Sequence, residues 1–237
     1  MSIQTDVYTI VFLTILLCAG MIWISKKIDR TDPMEKPKGI VLPVILGVQA
    51  VHKMVKDSVG KHYADALTPY ILVLWVYIFT ANIISLFGFD SPTANFSVTL
   101  LLSIITWVLI QATEFKFMGV KGYFHSFLEP IAVMLPMNIF GKFSTMVSMS
   151  LRLFGNILCG GVMMQLVYTA CQSLSNSIIG LLVPITGNVF NFMAPFITPV
   201  LHAYFDLFAG FIQTLVFVTL TVVLIGNDIP EEYRDKA

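Results

Sequence analysis

Long uncharged apolar stretches alternate along the chain with short segments that hold almost all of its charge. The run from Val7 to Ser25 is 19 residues, enough at about 1.5 Å per residue to cross a hydrocarbon core of about 30 Å. Tyr70 to Gly88 and Phe96 to Thr113 are runs of similar length. Joined by Phe89-Asp90-Ser91-Pro92-Thr93-Ala94-Asn95, they predict a membrane hairpin. Two later segments are too long for simple crossings: Ile139 to Gln172 would measure about 50 Å as a helix and Pro199 to Gly226 about 42 Å. That excess predicts strong tilt. The reading is an all-α integral membrane protein, one membrane domain over residues 1–237, with five passes and a tilted pair of long helices over 139–226.

The segment Gly39 to Tyr63 has a different pattern. Val41, Ile45, Val48, Val51, Val55 and Val59 recur at helical spacing, while Lys53, Lys56, Asp57 and Lys61 take other faces. This predicts a basic amphipathic helix on the cytoplasmic membrane surface; an additional imperfect span is the alternative. Asp32-Pro33 and Lys36-Pro37 break the chain before it. Glu129, Pro130 and Pro136 predict an irregular interfacial re-entry between Tyr123 and Met137. Pro184, Pro195 and Pro199 fall in or near the connection of the two long helices, where broken helix is tolerated if other protein covers the freed carbonyls.

Composition agrees: 57% of residues are apolar and 12% charged, against about 25% charged in an ordinary soluble domain. The net charge of zero hides an asymmetry, since Lys26, Lys27, Lys36, Lys38, Lys53, Lys56 and Lys61 cluster between residues 26 and 61. That pattern sets topology and gives no reason to expect nucleic acid. Lys26, Lys27 and Arg30 follow the first span, and Lys116 and Lys121 follow the third. Under the positive-inside rule the N-terminus is outside and, after five passes, Asp228 to Ala237 is cytoplasmic. Positive charges follow the first apolar run rather than precede it, so it reads as a retained span and not a signal peptide. Cys18, Cys159 and Cys171 lie in apolar segments without metal-ligand spacing and read as packing residues.

Between Phe143 and Asn227 the only full charges are Arg152 and Asp206. An arginine at membrane depth costs about 3 kcal/mol on insertion scales, which makes it a functional candidate by default. Asn156 is four residues on, Ser148 four before and Cys159 one turn beyond Asn156, giving a polar stripe on an apolar helix. Gly155, Gly160 and Gly161 remove side chains beside it and allow close approach of a partner. On the last helix His202, Asp206 and Gln213 fall within about 40° of one another at 100° per residue. A carboxylate there calls for a water-filled cavity reaching in from outside. Ser144, Thr145, Ser148 and Ser150 could line a second aqueous path, or bond only the preceding turn.

Ser150-Leu151-Arg152-Leu153-Phe154-Gly155-Asn156 resembles the signature of the a subunit of F-type ATP synthases, the membrane stator facing the rotating c-ring. Ser91 to Asn95, Pro136-Met137-Asn138, and Gln213 within Ile212 to Phe217 are similar to the same family, in the same order. The resemblance implies that Arg152 is the essential stator arginine with Asn156 and Gln213 as polar neighbours. It also implies two half-channels, the outer entered near Asn95 and Asp206; with no transit peptide the expected setting is a bacterial plasma membrane, an organellar-encoded copy being the alternative. The implied partners are the c-ring, b-type peripheral stalk subunits, lipid, and H+ or Na+; no cofactor or metal is implied, and no covalent chemistry. The sequence departs from the family in two places. Gly161 stands where many relatives carry a glutamate, so Asp206 reads as a relocated acid, and Gly141-Lys142 replaces a Glu-Glu pair.

Two other functions compete. A secondary transporter would use Arg152 as counter-ion to an anionic substrate, but such proteins show paired repeats and broken helices, and no repeat is visible. A membrane enzyme would need a motif such as HExxH or GxSxG, which the chain lacks. Arg152 could also snorkel to the cytoplasmic interface.

Overall fold

The computed structural model describes residues 5–30, 39–128, 132–182 and 191–229, and every regular element among them is helical. Seven α-helices follow one another: α1 Thr5–Asp29, α2 Val41–Val59, α3 Lys61–Ile83, α4 Phe96–Ser126, α5 Leu135–Leu182, α6 Ala194–His202 and α7 Gly210–Asn227. A π-helical stretch, Ala203–Ala209, joins α6 to α7 without a break. Five segments are long and apolar enough to cross a membrane: Val7–Asp29, Tyr63–Phe87, Phe96–Ser126, Leu135–Ile179 and Ala194–Asn227. The additional helix is α2. Asp32-Pro33, Lys36-Pro37, Glu129, Pro130 and Pro184 lie outside the described residues.

Helix boundaries differ from the apolar runs because charge ends a run without ending a helix. The amphipathic segment stops at Val59, since Gly60 has φ +88, a conformation open to glycine. Lys61 then begins α3 nine residues before the apolar run starts at Tyr70. In the same way α4 runs past Glu114, Lys116 and Lys121 to Ser126, with Gly119 at φ +66 marking a kink. Less of Tyr123 to Met137 is irregular than Glu129, Pro130 and Pro136 predict. Helix resumes at Leu135, with Pro136 in its first turn, where a missing N–H costs nothing.

The core is centred on α7. Phe217, Val218, Val222 and Ile225 pack with Val55 and Val59 of α2, Ile71, Leu74 and Ile78 of α3, Ile110 of α4, and Met149 and Leu153 of α5. Gly226 brings α7 against α2 so closely that an added Cβ would lie 2.6 Å from the Ser58 carbonyl oxygen. Helix α1 stands apart, touching the body through Leu13 against Ala81 and Ile84.

Two sets of contacts fix the register of the long helices. Trp107 Nε1 donates to the Lys142 carbonyl at 3.0 Å, Thr99 faces Ser150 at 3.4 Å, and Phe96 meets Phe154 edge-on with centroids 5.5 Å apart. Helices α4 and α5 therefore run antiparallel. Lys142 and Asp228 line one cavity, Gly160 faces Phe205, and Tyr168 reaches His202. The α6 to α7 rod is thus also antiparallel to α5.

Candidate functional site

Arg152 is exposed on α5, and no hydrogen bond or ion pair holds it among the described residues. Its surroundings on the same open face are apolar: Val147, Leu151, Leu158, Val162 and Leu166 are all exposed. The opposite face is used for packing, with Met149, Leu153 and Met164 buried. Helical periodicity alone produces this division, and it turns the one cation of the segment away from the chain's own core. Ser144, Ser148 and Cys159 are exposed as well. Ser150 is not on this face, because it is buried against Thr99. Gly155 and Gly161 have open space around them, whereas a Cβ on Gly160 would sit 3.6 Å from Phe205. Gly160 is buried against Phe205 within the chain.

Asn156 and Gln213 share an unusual state. Asn156 Nδ2 and Gln213 Nε2 are buried amide nitrogens without a hydrogen-bond partner among the described residues. Leaving such a donor unsatisfied costs about 1–3 kcal/mol, so two of them beside the arginine stripe are a departure that asks for a ligand or partner group. The contacts of Leu153 with the Phe217 cluster and of Gly160 with Phe205 bracket Gln213, which lies on the level of Arg152 to Asn156.

The other acid sits further along. Asp206 Oδ2 lies 2.7 Å from His202 Nδ1, and the Asp206 side chain is 15% exposed. With the carboxylate ionised, Nδ1–H donates to it, and Nε2 faces the Tyr168 hydroxyl at 3.3 Å. The Tyr168 carbonyl in turn accepts from Asn191 Nδ2 at 3.3 Å. A polar chain thus links α5 to the α6 rod on the far side of Gly160 from Arg152. Asp206 belongs to the π-helical stretch. Its wider turn alters the angular offset to Gln213 that a regular helix would give, and such stretches occur frequently at functional sites. Arg152 and Asp206 form no ion pair.

The loop from Ser91 to Asn95 does not end at the far tip of α5. Because Phe96 packs on Phe154, the loop lies on the level of the polar stripe. It is fixed there by a buried network: Ser91 Oγ donates to the Ala81 carbonyl at 2.6 Å, and Thr93 Oγ1 donates to Asn82 Oδ1 at 2.9 Å. Asn82 Nδ2 donates to the Gly210 carbonyl at 3.2 Å. Asn95 caps α4, its Oδ1 accepting from Ser97 N at 3.0 Å.

At the opposite end of α5 is a group that periodicity missed. Glu114 of α4 is 4% exposed, and Lys142 Nζ donates to its Oε2 at 2.6 Å. A cavity of about 240 Å³ opens beside the pair, lined in part by Gln111, Thr145, Asn227 and Asp228. Burial and the Glu114 charge push the Asp228 carboxyl up to about 6, with Lys142 opposing them. Glu114 directly follows the apolar run Phe96 to Thr113; its partner is 28 positions away in sequence, and no local pattern links them.

No group of three or more His, Cys, Asp or Glu that could hold a metal occurs among the described residues. Along α5, Arg152, unpaired among the described residues, lies between the His202–Asp206 cluster and the Glu114–Lys142 cluster.

Residues 7–226 match the family model described as "ATP synthase A chain". The chain is 28% identical over 223 residues to "ATP synthase subunit a" of Nitrosospira multiformis, covering 94% of this chain and 78% of that protein. It is 31% identical over 230 residues to "ATP synthase subunit a" of Mycoplasma pneumoniae, covering 90% and 74%. It is 33% identical over 208 residues to "ATP synthase subunit a, sodium ion specific" of Propionigenium modestum, covering 79% and 64%.

Proposed function

The chain belongs to the ATP synthase A chain family as a non-catalytic, ion-translocating stator subunit of a rotary F-type ATP synthase, and from that premise we propose that Arg152 is its fixed charge toward the c-ring. The observation that carries this is the exposed guanidinium, unpaired among the described residues, at the edge of an apolar exposed face. An unpaired charge facing lipid is costly, whereas facing a ring of carboxylates it is matched. An opposite charge within about 4–6 Å lowers a carboxyl pKa by roughly 1–3 units. A ring carboxyl, neutral while it faces lipid, ionises when it reaches Arg152 and gives up its H+ or Na+. Arginine suits the task because it stays charged when desolvated. It also bars direct leak between the two paths.

The outer path runs by Asp206, His202 and the Ser91 to Asn95 loop toward Asn156 and Gln213, whose buried amide nitrogens, without a hydrogen-bond partner among the described residues, are donors available to water of that path. The inner path lies along Ser144 and Ser148. Gly155 and Gly161 let the ring approach the α5 backbone. The N-terminus is outside and the C-terminus cytoplasmic, α2 lies on the cytoplasmic surface, and α5 is strongly tilted. At about 72 Å for its 48 residues, it cannot stand upright in a core of about 30 Å. The partners are the c-ring and b-type stalk subunits in a bacterial plasma membrane.

The test is Arg152→Ala in the whole complex, purified and placed in liposomes under an imposed ion gradient. ATP synthesis is expected to be abolished while the c-ring still co-purifies. Synthesis at the parent rate would refute the assignment. ATP-driven transport with and without Na+ identifies the ion.

A further inference from the structure

The Glu114, Lys142 and Asp228 cluster gathers three charged side chains, from α4, from α5 and from the turn that follows α7, around one cavity of about 240 Å³. It lies at the start of α5 and the end of α7, ten residues before Arg152 on α5. The rest of its wall includes the amide side chains of Gln111 and Asn227 and the Thr145 hydroxyl, so water in it has several hydrogen-bond partners. Glu114 is not free to exchange an ion there, because Lys142 holds both of its oxygens. Asp228 is half-buried and has no ion-pair partner among the described residues.

We propose that Asp228 is the proton-exchanging carboxylate at the inner mouth of the ion path, with the fixed Glu114–Lys142 pair as the electrostatic setting that positions and tunes it. The proposal rests on the reading that α5 and α7 border that path. In the synthesis direction a ring carboxylic acid near Arg152 loses its proton to water and becomes a carboxylate. The proton passes through cavity water to Asp228, where an O–H bond forms. That bond then breaks as the proton leaves to inner bulk water, restoring the carboxylate. One proton is moved and nothing is oxidised or reduced.

The groups facing Asp228 can be named for each neighbouring helix. Helix α4 supplies Glu114 and α5 supplies Lys142, while no charged side chain of α2 or α3 lines the cavity among the described residues. Helix α2 meets the end of α7 through the Ser58 carbonyl at Gly226. A carboxyl at about 6, raised chiefly by burial and then by Glu114, can both accept and release a proton within a small range around neutral pH.

The whole complex carrying Asp228→Asn tests this, in liposomes with inner-side and outer-side pH set independently. In the parent, gradient-driven synthesis should fall as inner-side pH drops through about 6, because Asp228 then stays protonated. Asp228→Asn should slow synthesis several-fold and remove that inflection, leaving the outer-side profile unchanged. The paired change Glu114→Gln with Lys142→Met, which leaves no buried charge unmatched, should shift the inflection without abolishing synthesis. Parent rates with the inflection retained in Asp228→Asn overturn the proposal, as does a parent profile flat in inner-side pH. If Arg152→Ala also synthesises ATP, the functional assignment itself fails. If only Asp228→Asn is silent, the relay alone fails.

Discussion

Lys142 Nζ sits on the carboxylate of Glu114, 2.6 Å from Oε2, and lies over the rings of Tyr123 at 4.7 Å and Phe127 at 4.2 Å. One ammonium thereby ties the end of α4 to the start of α5. Its partner carboxylate is buried, so removing one member leaves an uncompensated charge in a poor solvent. Breaking such a pair costs about 3–5 kcal/mol, whereas replacing both members with neutral groups of similar shape is far milder. Lys142→Met alone should therefore lower the thermal stability of the detergent-solubilised complex by much more than Lys142→Met combined with Glu114→Gln. Equal losses in the single and paired variants would mean that the contact is not the source of the stability.

The same pair shows where sequence reading stops. Lys142 was legible as a departure from a Glu-Glu pattern, whereas no motif singled out Glu114. Neither carries a local mark of the other, since only tertiary packing brings α4 and α5 together. The five apolar crossing segments and the amphipathic α2 were legible because hydrophobic periodicity is a local property. Arg152 was legible for the opposite reason, as the one cation between Phe143 and Asn227. The depth of the Ser91 to Asn95 loop was not: it is set by Asn82 reaching Gly210 across a separation of 128 residues. The π-helical stretch at Ala203–Ala209 has no composition that distinguishes it from α-helix.

Asn82 is the hub of the network that sets the loop's depth. It accepts from Thr93 and donates to the Gly210 carbonyl and to Thr214 Oγ1, and it is fully buried. Asn82→Ala removes these three bonds at about 0.5–1.5 kcal/mol each, while Thr93 keeps Ser91 and the Gly210 carbonyl keeps Thr214. The melting temperature of the complex should fall, and limited proteolysis at the Phe89 to Asn95 loop should speed up. A loop equally resistant to protease in Asn82→Ala would show that Ser91 and its bond to Ala81 suffice.

Asp228 gives a stability effect whose sign can be worked out. Its carboxyl is raised from the usual 3.8 to about 6 in the folded chain, so between those two values the folded state binds more protons than the unfolded state. Stability from this group is fully present below the unfolded value and is lost as pH rises through about 6. Asp228→Asn removes the ionised form. The variant should gain melting temperature relative to the parent at pH above 7 and match it near pH 4. Partial exposure of Asp228 screens the effect and keeps it small. A constant difference between the two proteins across that range would separate the group from its titration.

Asp206 and His202 form the polar cluster on the far side of Gly160 from Arg152, and their contact at 2.7 Å separates a role of charge from one of shape. In Asp206→Asn the amide oxygen can still accept from Nδ1–H, so the ring and its reach to Tyr168 are kept while the negative charge is lost. If Asp206 attracts the incoming cation, uptake from the outer side should slow by about 10-fold, a barrier of about 1.4 kcal/mol. Subunit stoichiometry should not change. His202→Ala should have a smaller effect on flux, because it leaves the charge and removes only the group that orients it. The discriminating measurement is ion flux through the reconstituted complex against outer-side pH. Parent flux at every pH in Asp206→Asn would make the His202 contact a structural tie between the α6 turn and the π-helical stretch.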